Sequence, residues 1–86
     1  MPYIKQKDRK RLDQHINEVA PKIHTAGELN YFITSIIHNI VNERGECYAL
    51  YNEMVGVLEC AKMELYRRRI TDYENKAIDR NGDLNG

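Results

Sequence analysis

"TAGELNYFITSIIHNIVNERG", residues 25–45, decides the fold. Thr25 and Glu28 have the spacing of a capping box, in which an N-cap hydroxyl and an N3 carboxylate each satisfy a backbone N–H. Leu29, Phe32, Ile33, Ile36, Ile37, Ile40 and Val41 then recur at three- and four-residue steps as one apolar stripe. Arg44 suits the negative end of the helix dipole, and Gly45 can adopt the left-handed conformation that stops a helix. An amphipathic helix with both ends marked is predicted here.

Reading forward, a third helix is expected from near Glu46 to about Ile78, with Tyr51, Met54, Leu58, Ala61 and Leu65 as its seam. "TDYE" (71–74) repeats the capping-box spacing and points to a bend at Thr71. Reading backward, Leu12, Ile16 and Val19 predict a first helix that begins near Asp8 and ends or kinks at Pro21. Residues 1–7 read as an extended N-terminal arm, in which Pro2 blocks a helix and Tyr3 and Ile4 can dock on the body. Residues 79–86, "DRNGDLNG", read as a flexible polar tail. The expected architecture is one all-α domain over residues 1–86. It is an antiparallel helical hairpin with a long second arm plus a short N-terminal helix, forming an oligomeric helical bundle.

The oligomer follows from lengths. At 1.5 Å per residue the second helix spans about 29 Å and the third up to about 48 Å. The overhang from Leu65 onwards lacks a partner on the second helix. Leu50 and Val57 form an apolar wing outside the seam; Val55, Tyr66 and Tyr73 form another. Gly56 costs about 1 kcal/mol in mid-helix. Either a second helix approaches closely there, with Gly56 and Cys60 as a pair of small residues, or the glycine is merely tolerated. A homo-oligomer is expected.

Lysine plus arginine and aspartate plus glutamate number 13 each in 86 residues, so the chain is formally neutral. That balance argues against broad binding to nucleic acid or to anionic membranes. No apolar run approaches membrane-spanning length, and a cytoplasmic protein is expected. Cys47 and Cys60 lie too far apart on one helix for a disulfide and do not form a CxxC pair. His15, His24 and His38 belong to no metal motif. "DRNGD" begins like a calcium loop, but its glycine comes one position early and no closing glutamate follows. No metal, cofactor or catalytic residue is expected, and Ser35, Glu59 and Glu64 carry no nucleophile or acid–base pattern.

"YRRRITDYE", residues 66–74, is where ligand chemistry concentrates. With 100° per residue, Arg68 joins a solvated ladder with Glu64 and Asp72. Arg67 turns away from the seam, towards Gly56, Cys60 and Glu74. Arg69 continues the line of Leu58, Ala61 and Leu65, with Tyr66 and Tyr73 leaning to the same side. An arginine on an apolar seam needs an anion, a carboxylate or an aromatic face, or else it snorkels to water. Tyrosines beside a guanidinium suit a base and a phosphate. The candidate ligand-binding residues are therefore Tyr66, Arg67, Arg69 and Tyr73, with Lys5 and Lys7 of the basic block "KQKDRKR" supplying further charge.

"MPYIKQKDR", "GELNYFIT", "GVLECAKMELYRRR" and "YENKAIDRNGD" resemble a family of short uncharacterised proteins from phages and prokaryotic genomes, over nearly the whole chain. The departure is Asp72, which stands where the family pattern has proline before the tyrosine. That resemblance implies no activity. The architecture, with "ALYNEMVGVLECAKMELYRRR" on the second arm, is also similar to the hairpin domain of phage anti-CBASS and anti-Thoeris sponges. This looser likeness implies a homo-oligomer that sequesters a phosphorylated, cyclic nucleotide immune signal at subunit interfaces without turnover, in the cytoplasm of the phage host. Two alternatives stay open. One is a small helical protein–protein interaction module with no small-molecule ligand; the other is an enzyme assembled across subunits.

Overall fold

In a computed structural model, residues 4–85 are described, and they are helical with no strand among them. The order is α1 (Gln6–Val19), a 3-10 turn (Ala20–Lys22), α2 (Ala26–Arg44), α3 (Tyr48–Leu65), a π-helical turn (Tyr66–Ile70) and α4 (Thr71–Asn81). The last three follow one another without a break, so the described residues form three helices, the third much the longest. This is the element order of the expected hairpin with a long second arm. The chain divides into two compact units, residues 1–46 and 47–86, each described here by itself.

In the first unit, α2 forms as its stretch predicts. Thr25 Oγ1 accepts from the Glu28 N–H at 3.1 Å, and Glu28 Oε1 accepts in return from the Thr25 N–H at 3.1 Å. The same carboxylate also takes the His24 N–H at 2.6 Å, so Glu28 closes two backbone donors ahead of the helix. At the other end Gly45 has φ +87°, ψ 128°, and its N–H closes on the Val41 carbonyl at 2.9 Å. That positive φ is open to glycine at little steric cost.

The first helix starts at Gln6, two residues before the expected Asp8. Its first turn is tied by the Asp8 N–H to the Lys5 carbonyl, and the Asp8 carboxylate favours the helix N-terminus. Lys5 is the extended N-cap, so the expected arm to residue 7 is shorter by two. Pro2 and Tyr3 lie outside the described residues. Pro21 does stop the helix: it sits in the 3-10 turn, where its missing N–H removes no α-helical bond. Leu12, Ile16 and Val19 of α1 and Leu29, Phe32 and Ile36 of α2 line opposite walls of one apolar groove of about 340 Å³.

The second unit begins with Cys47 extended as the N-cap of α3, so that helix starts two residues after the expected Glu46. It ends at Asn81 instead of Ile78. Gly82, at φ +85°, closes it with its N–H on the Ile78 carbonyl, and the polar tail is shorter than expected. Segments of 18, 5 and 11 residues end to end give a helix on the order of 50 Å, against about 28 Å for the 19 residues of α2. No helix among the described residues is long and apolar enough to cross a membrane.

Very little of this surface is buried. Val41 and Leu50 alone among the described apolar residues are buried, and no large side chain is fully enclosed. Val55, Val57, Leu58, Leu65, Tyr66 and Tyr73 are all exposed along the long helix.

Candidate functional site

The π-helical turn coincides with "YRRRI". The Thr71 N–H donates to the Tyr66 carbonyl, five residues back, where an α-helix would use the residue four back. The turn therefore holds one extra residue. Leu65 (φ −61°, ψ −45°), Tyr66 (φ −61°, ψ −50°), Ile70 (φ −70°, ψ −45°) and Thr71 (φ −57°, ψ −46°) are all right-handed, so the helix widens without breaking. Thr71 does not cap a new helix. Its N–H is already engaged inside the widened turn, and the capping-box spacing of "TDYE" goes unused.

The extra residue shifts the helical phase. A uniform 100° step puts Arg69 on the line of Leu58, Ala61 and Leu65. In the structure Ile70 is half-buried and Arg69 is exposed, and Ala77, seven residues further, is half-buried as well. With that one-residue shift, Ile70 and Ala77 continue the helical phase of Leu58, Ala61 and Leu65, which are themselves exposed, and Arg69 falls to the flank of that line.

The three arginines differ in what they hold. Glu64 is the common acceptor of two of them: Arg68 Nε lies 2.5 Å from Oε2, and Arg67 lies with Nε at 3.2 Å from Oε1 and Nη2 at 3.5 Å from Oε2. Those hydrogen bonds, that of Arg68 first and that of Arg67 second, hold the Glu64 carboxyl down to about 2 from an ordinary 4.5. Arg67, expected to face Gly56, Cys60 and Glu74, is instead turned to Glu64. Of the expected Glu64–Arg68–Asp72 ladder, the first rung forms. Asp72 pairs with Lys76 at 3.4 Å, because the widened turn takes it out of the i+4 position below Arg68. Arg69 is the one of the three that pairs with no carboxylate among the described residues.

Arg68, Arg69, Ile70, Asp72, Tyr73 and Lys76 line a shallow, open depression of about 540 Å³. Arg69 and Tyr73 are thus brought together, with Lys76 added, a residue the sequence reading passed over. Tyr66 and Arg67 are exposed on the same turn but do not line the depression. Lys5 and Lys7 are exposed at the start of α1, in the first unit. Elsewhere on the long helix, Lys62 Nζ lies 2.9 Å from Glu59 Oε1, and that hydrogen bond raises the lysine pKa.

No group of three metal-ligating side chains converges among the described residues. Asp79 and Asn81 are taken up in the end of α4, and Asp83 accepts the Leu84 N–H at 2.7 Å, as a chain-end turn does. His24 Nε2 lies 3.1 Å from the Pro21 carbonyl, and His15 lines the apolar groove of the first unit.

No curated protein and no solved structure matches the chain. A family model does, over residues 1–84, so the chain belongs to the family described as Domain of unknown function (DUF6899).

Proposed function

We propose that this chain is a phage-encoded, non-enzymatic anti-defence protein that assembles as a homo-oligomer. In this reading it sequesters a phosphorylated, cyclic nucleotide signal in the host cytoplasm without turning it over. The observation that carries the reading is the position of Arg69. It is exposed beside Tyr73 and Lys76 in a shallow depression, while the two neighbouring arginines are engaged by Glu64. A guanidinium without a carboxylate partner keeps its donors for a phosphate, and a tyrosine beside it offers a face for a base. An open depression on one helix is too exposed to hold a nucleotide tightly, since ligand sites bury most of their ligand. A site completed by another subunit meets that need, and the sparse core of the chain supports such assembly.

The test is calorimetry of the purified chain with cyclic dinucleotides, cyclic oligoadenylates and cyclic ADP-ribose isomers. The ligand should be recovered unchanged. If no member of the panel binds, the sponge reading fails. The exposed apolar side chains of the long helix then favour the second reading, a helical module that binds another protein and no small molecule.

A further inference from the structure

We infer that the ligand of the Arg69–Tyr73 depression is a guanine nucleotide, and that Asp72 is the residue that selects the base. The inference rests on the nucleotide reading above and narrows it to one base.

The observation that carries it is a carboxylate placed among the cations. Asp72 lines the same depression as Arg69, Tyr73 and Lys76. A carboxylate repels an incoming phosphate, so a site for phosphate alone is better without one. A carboxylate is an acceptor and no donor, and it suits a ligand that brings N–H groups as well as negative charge. Asp72 has acceptors to offer. Its Oδ2 lies 3.4 Å from Lys76 Nζ, an ion pair longer than an ordinary hydrogen bond, and it has no other polar partner among the described residues. Its two oxygens carry several lone pairs, so one lysine leaves most of its capacity open. Glu64, by contrast, is engaged by Arg67 and Arg68. The fold does not depend on Asp72 either, because an exposed i,i+4 pair contributes little to a helix.

Placement follows from the helix. Asp72, Tyr73 and Lys76 lie in α4, where residues three and four apart are neighbours. Lys76 therefore stands one turn beyond both Asp72 and Tyr73. Arg69 stands at the other end, about 10 Å from Lys76 along the axis. A nucleotide laid along this line has its phosphate at Arg69, its base on the face of Tyr73 and the Watson–Crick edge of that base towards Asp72. Ile70, half-buried, supplies an apolar wall.

The hydrogen-bonding edges decide which base this is. Guanine presents its ring N1–H and its exocyclic amine side by side, two parallel donors that match the two oxygens of one carboxylate. Adenine and cytosine each present an amine beside a bare ring nitrogen, whose lone pair would face a carboxylate oxygen. Uracil presents one N–H between two carbonyls. Guanine alone meets Asp72 without setting acceptor against acceptor, which in a shielded site is costly.

The test is calorimetry of the full chain with cyclic diguanylate, cyclic diadenylate and cyclic di-inosinate, whose hypoxanthine keeps the ring N–H of guanine and lacks the amine. Cyclic diguanylate should bind at least about tenfold more tightly than cyclic diadenylate, with cyclic di-inosinate between them. Asp72→Asn should weaken cyclic diguanylate and leave cyclic diadenylate unchanged or tighter, because a negative charge beside the phosphate is gone. Asp72 is exposed, and circular dichroism should show the variant as helical as the parent. If a ligand with adenine as its sole base binds as tightly as cyclic diguanylate, or if Asp72→Asn tightens both, Asp72 does not read the base. The inference then fails while the nucleotide reading stands. If no cyclic nucleotide binds, both fail.

Discussion

The Thr71 N–H and the Tyr66 carbonyl are five residues apart and hydrogen-bonded, and that single bond sets the phase of everything after it in the long helix. A helix widened by one residue reverts to regular α-helix when one residue is removed, with the downstream phase kept. Deleting Arg68 should therefore leave helical content and oligomeric mass intact. Inserting an alanine between Arg68 and Arg69 should rotate Ile70 and Ala77 by about 100° off the line of Leu65 and lower the mass. Circular dichroism with light scattering reads both variants. An insertion that leaves the assembly unchanged would remove Ile70 and Ala77 from the interface.

Glu64 should titrate well below an ordinary glutamate. Arg68 and Arg67 hydrogen-bond to it and hold it to about 2, below its ordinary 4.5. A carboxyl depressed in the folded state stabilises that state fully above about 4.5, and the contribution fades as the pH falls towards 2. Carboxyl-detected NMR titration should find the Glu64 midpoint rising in both Arg68→Ala and Arg67→Ala, more in the first. An unmoved midpoint would mean that the pairs do not persist in solution.

Residues 25–45 were legible because each signal in them is local. Thr25, Glu28 and Gly45 act within one turn of themselves, and the stripe between them keeps one period. Tyr66–Ile70 was not legible by the same reasoning, because a uniform step per residue carries Arg69 onto the seam. The clue was present: after Leu65 the next apolar residue in line comes five positions later, at Ile70, where three or four is the rule. "TDYE" misled for a related reason. Its spacing is right, but a capping box needs a free N-terminal N–H, and the Tyr66 carbonyl has already taken that of Thr71. For the candidate site, the tyrosines and arginines were picked out by residue type, and of Tyr66, Arg67, Arg69 and Tyr73 the depression is lined by Arg69 and Tyr73. The sharing of Glu64 by Arg67 was missed, although its i,i+3 spacing pointed to it.

Gly56 sits in mid-α3 with nothing within 4 Å of where a β-carbon would stand. Within the chain, then, alanine fits without strain. Gly56→Ala should stabilise the helix by about 0.5–1 kcal/mol through the lost freedom of the unfolded chain. A thermal midpoint higher by a few degrees is expected. If the midpoint or the oligomeric mass falls instead, another helix passes over Gly56 and Cys60 in the assembly, and Gly56→Leu should then weaken it further.

Arg69 should matter more for binding than Arg68. Arg68 is engaged by Glu64, and when it is removed Arg67 still holds that carboxylate, so no charge is stranded. It is also more than half exposed, where ion pairs contribute little. Arg68→Ala should change nucleotide affinity less than about fivefold. Arg69 pairs with no carboxylate among the described residues and lies beside Tyr73 and Lys76, so its donors are available to a phosphate. Arg69→Ala should weaken binding roughly ten- to a hundredfold, and Tyr73→Ala should also weaken it through the lost stacking face. Lys76→Ala removes a cation of the same depression and frees Asp72, so affinity should fall again. Calorimetry against whichever panel member binds the parent ranks the four variants. If Arg68→Ala proves the most damaging, the anion sits at the Arg68 edge of the depression, nearer Glu64, and Arg69 is not its principal donor.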